Sequence, residues 1–164
     1  MKVGDSISIK LCDADAIAKL EVIHYGSPVY KPERFKKVKN DGWVKPIGGL
    51  WTSPVDSNWG WKDWCKYEDF RECNDDNSFR LKFIEGSKIL IIDSLDDLIK
   101  LPKYKCEYGR EHPDFEFISR IFDGILLTEK GQNETRYSRP LSLYGWDCES
   151  ILILNKKCCY EIRS

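Results

Sequence analysis

The sequence predicts an α+β domain, on three observations. Strand-like apolar patterns recur six or more times along its 164 residues. Three helix-like segments fall irregularly among them. The steady strand–helix alternation of a parallel sheet is missing. The length fits one domain spanning residues 1–164, large enough to bury a core without staples.

Each element has its own local reason. Ser6–Leu11 alternates polar and apolar and predicts a first strand. Asp13–Lys19 is a short helical or turn segment. Leu20–Tyr25 is the next strand, stopped by Gly26-Ser27-Pro28, and a strand ending on small residues lets backbone come close to a ligand. Tyr30–Asp41 sets Lys31, Arg34, Lys36, Lys37 and Lys39 around Phe35; it reads either as a solvated loop or as the wall of an anionic pocket. Gly48–Ser53 is a third strand. Asn58–Phe70 predicts a helix, with Trp61, Trp64 and Cys65 at helical spacing on one face. Glu72–Asn77 is polar and turn-rich. Phe79–Phe83 and Lys88–Ile92, joined through Gly86-Ser87, predict a hairpin.

Ser94 is a helix N-cap with Asp97 three residues on. Leu95, Leu98, Ile99 and Leu101 give that helix its apolar face, and Pro102 closes it. Tyr104–Pro113 reads as loop, and Phe115–Phe122 as a helix with Phe115, Ile118, Ile121 and Phe122 inward. Asp123-Gly124 leads into strand Ile125–Thr128. Glu129–Pro140 is polar and predicts an exposed, mobile loop. Leu141–Trp146 approaches strand Glu149–Leu154, and Cys158–Ile162 is a last short strand.

Composition narrows the function. Twenty-six basic against 27 acidic side chains leave a net charge of −1, which excludes nucleic-acid binding driven by bulk charge but not a local basic groove. No apolar run reaches the ~20 residues of a membrane span, and Met1–Asp5 lacks the apolar centre of a signal peptide. A cytoplasmic protein without a membrane partner is expected. The seven cysteines show no C-x-x-C spacing and there are two histidines, so buried free thiols are expected and no metal site. Four of the six tryptophans lie between Trp51 and Trp64. Such density is either a dense piece of core or a stacking surface for a flat ligand.

Three stretches place polar or reactive groups at strand ends: His24-Tyr25-Gly26-Ser27, Gly49-Leu50-Trp51-Thr52-Ser53, and Asp147-Cys148-Glu149. In this order they resemble the ADP-ribosyltransferase superfamily, in the His-Tyr-Glu branch shared by diphtheria-type toxins and poly-ADP-ribose polymerases. The resemblance runs over residues 20–155. It implies a split, mixed β-sheet with peripheral helices around an NAD cleft. It also implies an NAD-dependent mono-ADP-ribosyltransferase, which moves ADP-ribose from its substrate NAD to a protein or nucleic-acid acceptor and releases nicotinamide.

The residue roles follow from the same resemblance. In the family a His before Gly-Ser or Gly-Thr holds the ribose, and the Gly backbone pairs with the nicotinamide amide. Here Tyr25 directly precedes Gly26, and His24 lies one residue earlier, with Ser27 following. Strand neighbours point to opposite faces, so one of His24 and Tyr25 enters the cleft unless a bulge intervenes. Trp51, with Thr52, matches the Tyr whose ring stacks on nicotinamide. Ser57 with Trp59 or Trp61 falls near the family's second Ser and aromatic. Glu149 matches the catalytic Glu that binds the ribose 2′-hydroxyl and stabilises the oxocarbenium-like centre. Asp147 stands at a position that orients the acceptor. Glu129–Pro140 stands where the acceptor-recognition loop lies, and its Arg136 and Arg139 would meet a phosphate or an acidic acceptor. The family's habits place such an enzyme among toxins, defence factors and phage-encoded modifiers. Two other functions fit the same residues: a module that holds NAD or ADP-ribose without transferring it, and an interaction protein whose tryptophans are simply core.

Overall fold

The computed structural model describes residues 9–163. In chain order the strands are β1 (Glu21–Tyr25), β2 (Leu50–Pro54), β3 (Ser78–Phe83), β4 (Ile89–Ile92), β5 (Lys103–Lys105), β6 (Glu111–Pro113), β7 (Gly124–Leu127), β8 (Ser150–Ile153) and β9 (Cys159–Ile162). The helices are α1 (Ala14–Lys19), α2 (Trp61–Tyr67), α3 (Leu95–Ile99), α4 (Phe115–Ser119) and α5 (Glu129–Thr135). The architecture is α+β, as expected. Seven strands form one mixed sheet in the order β4-β7-β8-β2-β1-β3-β9, and β5 pairs with β6 separately. Within the large sheet β4 and β7 are parallel, and the other neighbours are antiparallel.

The sheet has a seam at β2. Leu50, Trp51 and Thr52 face Ile153, Leu152 and Ile151 of β8. The next two residues, Ser53 and Pro54, face Ile23 and Val22 of β1 instead. One short strand therefore passes from one half of the sheet to the other. Gly49 seats it: at φ +70° a side chain is strained, and a Cβ there would meet Leu152 Cδ1 at 2.8 Å and Ile153 O at 2.9 Å.

Two cores cover the sheet. Leu90, Ile92, Leu127 and Leu152 join Leu98, Phe115, Ile118 and Trp146 in one. Val22, Leu81, Ile89, Ile151 and Ile153 join Ile17, Phe79 and Phe83 in the other. All four residues of β8 are buried, as a strand covered on both faces requires. Its apolar run Ile151–Leu154 is the sequence mark of that position.

Several expectations need correction. Residues 6–8 of the first predicted strand lie outside the described residues. Beyond them the chain runs beside β4, where Lys10 O accepts from Ile91 N (2.8 Å) and Cys12 N donates to Ile89 O (2.9 Å). The predicted hairpin of β3 with β4 does not form. β3 lies between β1 and β9, while β4 pairs with β7 at the opposite side of the sheet. The apolar Ile89–Ile92 needs cover on both faces, which the two cores supply, while β7 and the chain near residue 10 pair with its edges. Residues 103–113, read as loop, hold the hairpin of β5 and β6. Ile121, placed inward by periodicity, is exposed, because α4 ends at Ser119. α2 is shorter than predicted: Gly60 is its N-cap, with Asp63 Oδ2 accepting from Gly60 N at 2.9 Å. Of the three residues assigned to its apolar face, Cys65 is buried while Trp61 and Trp64 are half-buried.

The largest correction concerns 129–140. Its first half is α5, capped by the Thr128 hydroxyl, which accepts from Gly131 N at 3.0 Å. Gly131, Gln132 and Thr135 are buried. Gly131 lies against β4, and a Cβ there would stand 2.1 Å from Ile92 O. Overpacking a closed site costs roughly 1–3 kcal/mol or more. Gly131→Ala is expected to lower the urea midpoint accordingly, whereas the exposed Lys130→Ala leaves it within about 0.5 kcal/mol.

Candidate ligand cleft

Where β2 leaves β8 for β1, the half-sheets part and a cleft of about 180 Å³ opens. Its walls come from the ends of three strands. β1 brings His24 and Tyr25, β2 brings Trp51, Thr52 and Ser53, and the approach to β8 brings Trp146, Asp147, Cys148 and Ser150. Lys45, Trp61 and Arg71 complete the lining. Deep cavities of about 150 Å³ take a single benzene-sized ring, so one flat ring fills this one.

The aromatic wall is a fixed assembly. Trp51 meets Trp146 edge to face, with ring centroids 4.6 Å apart at 75°. Trp146 is buried and donates its indole N–H to Val44 O at 2.7 Å. Trp61 stacks on Trp64 at 4.9 Å and 18°. Trp51 is only partly buried, which leaves ring surface for the cleft. Lys45 Nζ lies 5.3 Å from the Trp51 ring centroid and 3.7 Å from Asp147 Oδ2.

His24 and Tyr25 both line the cleft, although alternation expects one. β1 ends at Tyr25, just where it parts from β2, so alternation no longer separates the two. The imidazole Nδ1 is 2.8 Å from Trp51 O. A carbonyl only accepts, so Nδ1 carries the proton and Nε2 is left as an acceptor. The ring also stacks on Phe79 at 5.0 Å. Burial pushes the His24 pKa below its ordinary value; the Trp51 carbonyl opposes this and the Arg71 charge assists it. The neutral ring is therefore the form at pH 7. The unfolded chain binds a proton here more readily than the folded one, so folding stability falls as pH drops below about 6.5. His112, also lowered by burial, acts with the same sign. Urea titrations between pH 7 and 5 should show this loss, and His24→Gln should reduce but not abolish it.

The other predicted residues sit around the cleft without lining it. The Gly26 N–H is occupied by Asn77 O (2.7 Å), as is that of Ser27 (3.1 Å), so neither amide is free for a ligand as expected from the family pattern. Ser27 lines instead a second recess of about 160 Å³, which shares His24 with the first and carries Lys31 and Arg34. The basic stretch thus has part of its charge at a recess. Ser57 accepts from Trp59 N at 3.3 Å and serves the local turn. Trp59 holds the acidic segment: its indole N–H donates to Asp147 O (3.1 Å) and its carbonyl accepts from Glu149 N (3.0 Å).

The two carboxylates part company. Asp147 faces the cleft. Glu149 follows Cys148 and precedes Ser150, both cleft-lining, and its Oε2 accepts the Glu129 amide at the start of α5 (3.2 Å). In an extended strand residues two apart would share a face; the chain bends at Cys148 and Glu149 before β8 begins at Ser150, and this turns the two carboxylates apart.

Sequence reasoning missed Lys45, Arg71, Trp146 and Ser150 as cleft residues, and named Ser53 and Cys148 within its stretches without giving either a role. Ser53 ties the walls together, donating to Glu149 O (2.9 Å) and accepting from Trp61 N (2.9 Å). Burial raises the Cys148 thiol above its ordinary value, against the Ser150 and Ser53 hydroxyls, so it stays protonated and is a poor nucleophile. Of the four missed, Trp146 left a signal, as an aromatic just before an acidic pair. All seven cysteines are free. Among the described residues no helix is long and apolar enough to cross a membrane.

Compared with protein-family models, with curated proteins and with solved structures, the chain has no match in any of the three.

Proposed function

We propose that the protein is an NAD-dependent mono-ADP-ribosyltransferase on a split-sheet ADP-ribosyltransferase-like fold, with nicotinamide bound in the cleft at the β2 seam. One observation carries this reading. Three motifs far apart in sequence, around His24, Trp51 and Asp147, meet at one cleft sized for a single ring.

Trp51 supplies the stacking face, backed by Trp146, with Trp61 on the cleft wall. His24 Nε2 accepts a ribose hydroxyl. Beyond His24, Lys31 and Arg34 in the second recess meet the diphosphate. Whole-ligand pockets run to roughly 300–1,000 Å³, so a dinucleotide would spread over both recesses. In the reaction the bond between ribose C1′ and the nicotinamide nitrogen breaks, and its electron pair leaves with neutral nicotinamide. Positive charge builds at C1′. Asp147, the carboxylate facing the cleft, stabilises that charge, and the acceptor then bonds to C1′ and gives up a proton. Glu149, the family's catalytic position, would reach the ribose only by releasing the Glu129 amide.

A second reading is favoured by that engagement of Glu149 and by the Lys45 ion pair on Asp147: a module that binds NAD without cleaving it. Incubation with adenylate-labelled NAD and a cell lysate separates the two. Transfer predicts free nicotinamide and label on protein or nucleic acid. Calorimetric binding of NAD with no nicotinamide released over hours would overturn transfer in favour of the module.

A further inference from the structure

A second surface adjoins the cleft and has no part in the reading above. It is an open groove of about 610 Å³ between the segment 43–44, the hairpin β5–β6 and the stretch 136–144. Three of its aromatic side chains are largely in water: Trp43 at 66% exposure, Tyr137 at 75% and Tyr144 at 59%. Tyr137 and Tyr144 lie 5.8 Å apart at 43°, and the Arg136 guanidinium sits 5.6 Å over the Tyr137 ring. Arg110 and Arg139 line the same groove, against the single acid Glu111. Burial keeps its His112 neutral at pH 7. A chain of net charge −1 thus gathers three guanidinium groups and three exposed rings in one place.

That combination has a specific chemistry. Arginines alone attract any anion, including an acidic peptide. Exposed flat rings add a demand for flat partners, and unpaired bases meet it because each offers a π-face. A duplex hides those faces. The groove also backs onto the wall of the cleft. Val44 accepts the Trp146 indole N–H, its neighbour Lys45 lines the cleft, and the Asp147 charge is felt at Arg136.

We propose that this groove binds a single-stranded nucleic acid and presents it to the cleft; the binding stands on the groove alone, while the strand's role as ADP-ribose acceptor rests on the transfer reading above. The shared chemistry fits RNA and DNA alike, so both are assayed.

Fluorescence anisotropy with labelled oligo-U and oligo-dT of about 16 nucleotides tests it on the full chain. The expected result is binding that weakens with salt. Tyr137→Ala and Tyr144→Ala should each weaken it about fivefold or more, while Arg136→Gln and Arg139→Gln should each reduce the salt slope by about 1. Tyr137, Arg139 and Tyr144 are exposed and outside the cleft, so in those three variants nicotinamide release from NAD alone should not change. Preference for oligo-U or for oligo-dT identifies the source of the strand, and either result supports the proposal. Absence of binding at low salt overturns it, as does equal competition by duplex DNA or by polyglutamate. Oligonucleotide binding with no NAD cleavage upholds the interface and overturns the transfer reading; NAD cleavage with no oligonucleotide binding does the reverse.

Discussion

Asp147→Asn is expected to slow nicotinamide release from NAD by about 10²–10³-fold, with NAD affinity nearly unchanged. The magnitude is that of removing one preorganised group aimed at charge that develops in the transition state. Asn preserves the shape, and the ion pair it removes is partly exposed and 3.7 Å long, so it contributes little to stability. A fold effect therefore cannot imitate the loss. Single-turnover release of nicotinamide, measured beside calorimetric NAD binding, reads the two quantities separately. Glu149→Gln is the paired experiment. Its amide oxygen still accepts from Glu129, so α5 stays capped. If Glu149→Gln is the inactive variant and Asp147→Asn is not, the roles of the two carboxylates are reversed and Glu149 must leave α5 on substrate binding.

Trp146→Ala should produce the largest loss of stability, about 3–5 kcal/mol, as truncations of buried Phe and Trp do. That is a large part of the ~5–15 kcal/mol that holds a domain together. The side chain is 1% exposed, touches Trp51 and Phe115, and ties Val44 through its N–H. Trp146→Phe keeps most of the ring volume but strands Val44 O, and should cost about 1–3 kcal/mol. Urea unfolding ranks the two. A near-equal cost would mean that the hydrogen bond, rather than the rings, anchors this wall.

What the sequence made legible follows from the range of each interaction. Caps and strand patterns are local: Ser94, the alternation of β3 and the apolar run of β8 were readable because neighbours within a few residues decide them. Thr128 is also a cap, yet it looked like a strand end, because the helix after it is polar and gains its burial from Gly131 against Ile92 O rather than from an apolar stripe. The β3–β4 hairpin failed for a related reason. A short turn makes pairing possible, but the partners of β3 are decided by β1 and β9, more than fifty residues away in either direction. At the cleft, His24, Trp51 and Asp147 carried chemical signals of their own. Lys45, Ser53 and Arg71 are ordinary surface-type residues whose position alone makes them part of it. The direction of Glu149 was hidden because its partner, the Glu129 amide, belongs to a helix the sequence did not announce.

The handover of β2 from β8 to β1 has a consequence in time. The cleft is a seam between strands at residues 21–25, 50–54 and 150–153. Until residue 153 has been synthesised, Trp51 has no β8 to lie against and β2 has only β1 to pair with. No shorter N-terminal piece of the chain has the complete cleft, so a protein that consumed NAD in this way would be silent while it is being made and acquire its activity in one late step.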